Sequence, residues 1–304
     1  MTAPAFEVRR GQLGDLLACT AIWRSTSGEP SPAPTAPYFL YRHELETGTL
    51  VVAESDHGLI GFGASLPRSG RWFLADLFID PATQSTGVGR RLLDALLAID
   101  QPGPARATLA SGDPRAVSLY TRLGMTPRFP VFYLTARSAG RFPGPPQGWA
   151  VTEVAGDRFS PLAAELGLRI DRLDVAYLAA NLDVTWVDVV DRGGRTVASA
   201  AVRWGHPFVA SDPRAVTVAP LVLAPDAAPS DVAGVLLAWI EGQGRRPDGS
   251  GLRLFVPGPH PLLPVLLDAG FAIVDVDTLC ASDAALAGPA ALDPTRTCPA
   301  TDMP

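Results

Sequence analysis

The sequence predicts an α+β fold made of two similar units. Short apolar runs typical of strands alternate with amphipathic stretches of helical periodicity. A glycine- and proline-rich stretch at residues 139–147 interrupts this alternation and predicts a linker. The order of elements then recurs, so we expect one domain over residues 1–138 and a second over residues 148–284. Residues 285–304 are rich in Ala, Pro, Asp and Thr and predict a disordered or loosely packed tail.

The elements of the first unit follow from hydrophobic periodicity and from the residues that end helices and strands. In order, they are a strand at 6–10, a helix at 15–26, strands at 49–55, 58–66 and 71–79, a helix ending at 99, a strand at 105–111, a helix at 113–124 and a strand at 131–137. Residues 27–38 contain several prolines and predict an irregular segment, which inside a domain is often functional.

The elements of the second unit repeat much of this order. They are a strand at 150–154, a helix at 160–182, strands at 184–191, 196–204 and 214–223, a helix at 230–242, a strand at 252–258, a helix at 260–270 and a strand at 271–281.

Composition limits the classes of protein and of partner. With 304 residues, 47% hydrophobic and 18% charged, the chain is long enough for two globular domains. It has no apolar run of transmembrane length and no signal-peptide core, so we expect a cytoplasmic protein with no membrane partner. The net charge of −6 argues against nucleic-acid binding. The 3 cysteines and 4 histidines are too scattered for a disulfide framework or a metal site, so no metal is expected.

A polar loop with two glycines precedes the helix that ends at residue 99. Residues 81–97 read PATQSTGVGRRLLDALL. The first turn of a helix presents unpaired N–H groups and partial positive charge, and glycine lets a ligand approach the backbone closely. Such a loop is suited to phosphate, although an ordinary glycine-rich turn between a strand and a helix has the same character.

A second motif occupies residues 113–124, with the pattern Asp-x-x-Ala-x-x-Leu-Tyr-x-x-x-Gly. Together with Gln84-x-x-Gly87-x-Gly89, this motif resembles the GNAT superfamily of N-acetyltransferases, in a tandem two-domain form. The family has a Gln/Arg-x-x-Gly-x-Gly/Ala loop followed by an Asn-x-x-Ala-x-x-Leu-Tyr helix. The resemblance covers most of residues 1–137 and implies, in each unit, a central mixed, mostly antiparallel sheet flanked by helices.

The resemblance implies acetyl-CoA as co-substrate. The loop would bind its pyrophosphate, the preceding strand would pair with its pantetheine arm, and Tyr120 would protonate the departing thiolate as general acid. The residues implied to bind the coenzyme are Leu77, Phe78, Ile79, Gln84, Ser85, Thr86, Gly87, Val88, Gly89, Arg90 and Asp113. The alternative for Tyr120 is a core aromatic residue on an amphipathic helix.

The chain departs from the family pattern at two positions. Asp113 replaces the family's Asn, which would either weaken a coenzyme contact or provide a helix N-cap. The glutamate that many members use as general base is missing, and Asp76 is the one acid on that strand. Asp76 is therefore a candidate base. The alternatives are Glu54, Glu44, Glu46 or a chain of waters.

An acceptor pocket is implied between the first helices and the second strand. Tyr38, Phe39, Tyr41 and Glu44 lie there, and aromatic residues with an acid suit an amine. The alternative is that these side chains only pack the loop down.

The second unit lacks both motifs. Aligned by element order, the residues opposite Gln84, Gly87, Gly89 and Tyr120 are Ala228, Asp231, Ala233 and Leu266. A carboxylate in place of the close-approach glycine repels phosphate, so we expect a degenerate second unit with a structural role.

We therefore expect an acyltransferase that moves acetyl from acetyl-CoA to a primary amine, of a small molecule or a protein, by direct attack. A monomer or a homodimer is expected. Two alternatives stay open: another acyl group or a hydroxyl acceptor on the same fold, and a non-catalytic acyl-CoA-binding or interaction module.

Overall fold

A computed structural model describes residues 5–26, 33–68, 70–137, 144–156, 161–165, 171–205, 214–246, 250–287, 291 and 293–300. The elements of the first half are β1 (Phe6–Arg10), α1 (Leu16–Thr26), α2 (Phe39–Thr47), β2 (Thr49–Ser55), β3 (Gly58–Arg68), β4 (Arg71–Ile79), α3 (Val88–Asp100), β5 (Arg106–Ala110), α4 (Pro114–Arg122) and β6 (Thr126–Ala136). Those of the second half are β7 (Ala150–Val154), α5 (Pro161–Glu165), α6 (Arg172–Asn181), β8 (Val184–Val190), β9 (Thr196–Trp204), β10 (Val216–Leu223), α7 (Pro229–Gly242), β11 (Leu252–Pro257), α8 (Leu262–Asp268), β12 (Ala272–Ala281) and β13 (Thr297–Cys298).

Most predicted elements are confirmed with small shifts of their ends. Strand β6 begins at Thr126, five residues before the predicted start. The helix predicted at 160–182 is present as α5 and α6, and residues 166–170 between them lie outside the described residues. Of the segment predicted to be irregular, residues 33–38 are described and contain no helix or strand.

One mixed, mostly antiparallel sheet contains the 13 strands of the described chain, flanked by helices as predicted. Its main path runs β1-β2-β3-β4-β5-β12-β6-β11-β10-β9-β8-β7, and β13 pairs with β10. The β4–β5 and β10–β11 pairs are parallel. Each half thus contributes one parallel pair next to the middle of the sheet.

The last long strand of each half lies beside a strand of the other half. Strand β12 inserts between β5 and β6, and β6 in turn pairs with β11. The sheet therefore contains strands from both sides of the linker predicted at 139–147, of which residues 139–143 lie outside the described residues. The two units that the sequence predicts share one sheet and exchange strands.

The loose tail predicted at residues 285–304 is wrong for the part that the structure describes. Thr297 and Cys298 form β13, which pairs antiparallel with β10, and both are fully buried. A 3-10 turn at Asp283–Leu286 follows β12. Composition suggested a loose tail because the pairing partner, β10, is far away in sequence.

A buried ionic cluster also joins the two halves. Asp174 on α6 accepts from Arg68 Nη2 at 2.9 Å and lies 2.6 Å from Nε2 of His43 on α2. Burial opposes ionisation of Asp174, but the hydrogen bonds from His43 and Arg68 outweigh it and lower its pKa. Removing one partner from such a cluster leaves a buried charge uncompensated, which costs about 3–5 kcal/mol.

Helix α3 is held against the sheet by one apolar face. Its buried residues are Val88, Leu92, Leu93 and Leu96. They pack against β2 and β4 in one hydrophobic cluster, and each buried leucine contributes about 1.5–3 kcal/mol. This packing places the N-terminus of α3 at the end of β4, where the glycine loop connects the two elements.

Candidate active site

The strands β4 and β5 part in the middle of the sheet. Their parallel pairing covers Trp72–Leu74 with Arg106–Thr108 and then stops, whereas β4 stays paired with β3 as far as Ile79. A β-bulge lies at the point of divergence, since Leu74 and Asp76 face successive residues of β3 and Ala75 is extra. A bulge bends and twists its strand. The predicted pantetheine residues Leu77, Phe78 and Ile79 therefore lie on the diverging part of β4.

The loop after β4 brings backbone N–H groups to the N-terminus of α3. Ser85 and Gly87 both have left-handed backbones, with φ of 65° and 92°. Gly87 is the N-cap of α3, and no heavy atom lies within 4 Å of where its Cβ would be. Residues of left-handed backbone in such a loop form a concave nest of N–H groups that binds anions, and the helix dipole adds to it.

The two glycines of the loop have different roles. A side chain at Gly87 would be strained by the positive φ. At Gly89 the backbone is ordinary, and a Cβ would meet Ile79 at 3.7 Å, a normal contact. Because Gly89 has no side chain, it leaves the backbone uncovered at the N-terminus of α3. The remaining predicted loop residues, Gln84, Thr86, Val88 and Arg90, lie along the same turn or the first turn of α3.

Arg115 links the loop to the second motif, and sequence reasoning missed it. Its guanidinium donates to Gln84 Oε1 at 2.9 Å and to Ser85 Oγ at 3.2 Å. It also lies 2.7 Å from Asp113, whose carboxylate accepts from the Arg115 N–H and caps α4. Asp113 is thus an N-cap, and the hydrogen bond from Arg115 lowers its pKa. An arginine two residues after a helix cap is too common a pattern to have indicated this link.

Tyr120 lies on α4, with only 5% of its surface exposed, in the cluster that includes Leu92, Met125 and Cys280. Burial raises the pKa of Tyr120, and the neighbouring Cys280, Asp76, Asp113 and Asp277 raise it further. The hydroxyl therefore keeps its proton at neutral pH.

Two carboxyl groups meet beside the diverging part of β4. Glu44 on α2 is 2% exposed, its Oε2 has no hydrogen-bond partner within the described residues, and Asp76 on β4 lies close enough to shift its pKa. Burial, and then the charge of Asp76, raise the pKa of Glu44 well above its ordinary value, and burial raises the pKa of Asp76. Burial therefore disfavours ionisation of both acids, and a negative charge on Asp76 further disfavours ionisation of Glu44. Within the described chain neither carboxyl forms an ion pair with an arginine or a histidine.

The other acids considered as a base lie elsewhere. Glu54 is paired with Arg9 at 2.6 Å, and Glu46 is paired with Arg42 at 2.8 Å on the exposed side of α2. Of the candidate side chains, Asp76 and Glu44 are brought together, and the other two are not.

The predicted acceptor residues divide into two groups. The rings of Tyr38 and Tyr41 are in contact, with their centroids 5.2 Å apart. Tyr41 is buried near Glu44 and Asp76. Burial is the main cause that raises the pKa of Tyr41, and Asp76 and Glu44 raise it further. Phe39 instead faces the second half, where its carbonyl accepts from the Tyr177 hydroxyl and its ring stacks on Tyr177. Phe39 thus contributes to packing between the halves.

The second half also contributes side chains near Tyr120. Asp277 and Cys280 belong to β12, and Asp277 accepts from the Tyr133 hydroxyl at 2.5 Å. Burial raises the pKa of Asp277. Sequence reasoning missed both residues, because only the insertion of β12 beside β5 brings them to the first half.

The second half differs from the first where the loop should be. Seven residues, 80–86, separate Ile79 from the α3 N-cap Gly87, but only four, 224–227, separate Leu223 from the α7 N-cap Ala228. The predicted pairing of Asp231 with Gly87 is therefore wrong by three positions, and the cap opposite Gly87 is Ala228. Pro229 and Asp231 occupy the first turn of α7, where they remove a donor and add a negative charge.

None of the described helices is long and apolar enough to cross a bilayer. Among the described residues, no three His, Cys, Asp or Glu side chains gather as a metal site requires.

Comparison with known proteins agrees with this geometry. Residues 46–126 match the family model described as "Acetyltransferase (GNAT) domain". No curated protein matches the sequence significantly.

Three solved structures share the fold over nearly the whole chain at low sequence identity. A protein from Pyrococcus horikoshii with an acetyltransferase assignment has a TM-score of 0.71 at 15% identity, over 98% of this chain and 96% of its own. A GCN5-related N-acetyltransferase from Sphaerobacter thermophilus has a TM-score of 0.63 at 12% identity, over 92% and 96%. A tandem GNAT protein from the clavulanic acid biosynthesis pathway has a TM-score of 0.65 at 16% identity, over 91% and 98%. Residues 46–126 therefore match the GNAT acetyltransferase domain, and the described chain shares the fold of these GNAT proteins over nearly its whole length.

Proposed function

We propose that this protein transfers an acetyl group from acetyl-CoA to an amine by direct attack, using a site in its first half. The observation that carries the proposal is the divergence of β4 from β5 directly before the nest of N–H groups at α3. An extended ligand arm would pair with the diverging strand, and its phosphates would lie on the nest.

The Glu44–Asp76 pair supports an amine acceptor. Glu44 is buried, Asp76 is half-buried, and neither has a cationic partner among the described side chains. Two adjacent acids without a cation favour a positively charged ligand, and a hydroxyl acceptor would bring no charge to balance them. An ionised carboxylate of the pair would accept a proton from the bound ammonium, which frees the nitrogen lone pair for attack.

Tyr120 supports the second proton transfer. As nitrogen bonds to the acetyl carbon, the carbon–sulfur bond breaks and sulfur leaves with its electron pair. The Tyr120 hydroxyl, which keeps its proton at neutral pH, donates that proton to the sulfur and is reprotonated from solvent. The nitrogen loses its second proton to solvent as the amide forms, and the carboxylate later returns the first. The products are the amide and the free thiol, with one proton released overall.

The binding step is tested by calorimetric titration with acetyl-CoA. One site per chain is expected, since the loop of the second half is shorter and acidic. Gly87→Asp puts a carboxylate into the nest and should weaken binding about tenfold or more through charge repulsion. Gly70→Asp is the matched control, because Gly70 also has a positive φ, with open space around it, at the other end of β4. Equal binding by both variants would contradict the phosphate assignment.

The transfer step is tested by release of the CoA thiol over a panel of amines and alcohols of similar size, with acetyl-CoA and longer acyl-CoAs. Turnover with acetyl-CoA and amines alone is the expected result. Tight acyl-CoA binding without turnover of any acceptor would instead favour a binding module.

A further inference from the structure

The C-terminal segment of the chain lies along the inner strand of the second half. In β13, Cys298 pairs with Leu221 and Thr297 pairs with Val222 of β10. The ladder continues from the Leu223 N–H to the Arg296 carbonyl at 2.8 Å. Three successive residues of β10 are therefore engaged by the tail.

The part of β10 that pairs with β13 corresponds to the diverging part of β4 in the first half. Strand β10 pairs with β11 only over Val216–Val218, as β4 pairs with β5 only over Trp72–Leu74. Counted from these paired triplets, Leu221–Leu223 occupy the place of Leu77–Ile79. Both strands also have a register shift against their other neighbour just before this stretch. The tail thus lies where an extended ligand would lie in the first half.

The tail is built into the slot rather than resting on its edge. Thr297 and Cys298 are fully buried, and Ala300 packs in the cluster that contains Trp186 and Phe255. Arg296 Nη1 donates to the Ala224 carbonyl at 3.4 Å, beyond the end of β10. The burial of these side chains indicates that the segment binds at one defined position.

We propose that the second half retains the strand-accepting slot of the fold as a peptide-binding site, and that its ligand is residues 293–300 of the same chain. The slot accepts an extended backbone by β-pairing on β10, and the small side chains Thr297, Cys298 and Ala300 fill it. Residues of the same chain thus occupy the slot of the second half. This proposal holds whether or not the first half transfers acetyl groups.

The slot is opened in the full chain by Cys298→Arg, because Cys298 is fully buried in an apolar cluster, where a large charged guanidinium does not fit. Thr295→Arg is the control, since Thr295 is exposed in the same segment. The probe is a fluorescent peptide of residues 291–300, ALDPTRTCPA, with a scrambled peptide of the same composition. Saturable binding of the native peptide to Cys298→Arg alone is expected. Failure to bind that variant, or equal binding to the wild type, overturns the proposal.

A measurement on the wild-type chain keeps the proposal testable if Cys298→Arg does not fold. Alkylation of Cys298, located by mass spectrometry, should be about a hundredfold or more slower than that of the same thiol in the free peptide. Equal rates would show that the tail is not seated. Acetyl-CoA takes no part in either experiment, so failure of the proposed transfer leaves this test unaffected.

Discussion

Arg115 matters at the scale of single residues because it neutralises an acid next to a predicted phosphate site. Asp113 replaces the family's asparagine, and its carboxylate alone would repel the pyrophosphate. The 2.7 Å ion pair with Arg115 removes much of that repulsion, and the same guanidinium holds Gln84. Arg115 thus compensates for the negative charge that Asp113 introduces.

Arg115→Ala should weaken acetyl-CoA binding about fivefold, because an exposed charge a few ångströms away is worth about 1 kcal/mol. Asp113→Asn in the same chain should restore most of the affinity by removing the acid. Titration calorimetry of the two single variants and the double variant measures this. Arg122→Ala, on the same helix and exposed, is the control. A double variant as weak as Arg115→Ala would show that the compensation argument is wrong.

Tyr120→Phe should lower kcat about a hundredfold and leave acetyl-CoA affinity unchanged, because only the proton donor is lost. Stopped-time assays of CoA release and titration calorimetry separate the two effects. Tyr177→Phe is a suitable comparison, since that hydroxyl is already engaged with the Phe39 carbonyl. An unchanged kcat in Tyr120→Phe would remove the phenol from the mechanism.

At the scale of elements, α2 and β4 together create the acid pair. Neither element shows it alone, since Glu44 lies on a helix and Asp76 on a strand next to a bulge. Their contact makes stability depend on pH. Burial raises the pKa of Glu44, so the folded state binds a proton that the unfolded state releases above its ordinary pKa of 4.5.

Stability should therefore fall as pH rises above 4.5 towards the raised pKa of Glu44, by up to about 1.4 kcal/mol per pH unit for one proton. Glu44→Gln mimics the protonated acid and should flatten this dependence. Urea denaturation of both proteins from pH 5 to 8 measures it. Glu46→Gln, at an exposed neighbour on α2, should run parallel to the wild type. Parallel curves for Glu44→Gln as well would contradict the buried-pair assignment.

At the scale of the whole molecule, strand exchange makes the halves depend on each other. Without β12, strand β5 loses the pairing of Ala107–Ala110, and without α6 the cluster of His43 and Arg68 loses Asp174. An exposed sheet edge and uncompensated buried charges both disfavour a folded fragment.

Fragments 1–147 and 148–304 should each fail to give a cooperative thermal transition when expressed alone, and should form a 1:1 complex when co-expressed. Circular dichroism and size-exclusion chromatography measure this. A monomeric fragment 1–147 that unfolds cooperatively at the temperature of the full chain would show that the exchange contributes little.

Much of the fold could be predicted because its strands and helices follow from short-range patterns in the sequence. Alternating and helical periodicities predicted nearly every strand and helix. The glycine loop around Gly87, followed in sequence by the motif that contains Tyr120, indicated the family. Backbone demands also appear in the sequence, since the left-handed cap at Gly87 favours glycine.

Contacts between residues far apart in sequence were decided only by the tertiary structure. Cys280 packs in the same cluster as Tyr120 because β12 pairs with β5, and Cys298 pairs with Leu221 because β13 pairs with β10. The local sequence fixes neither the partner strand nor the register of these pairs. The Glu44–Asp76 pair and the Arg115 bridge likewise depend on which faces of separate elements meet. Periodicity determines which side of an element is buried, but the choice of partner depends on the packing of the whole chain, which no local pattern encodes.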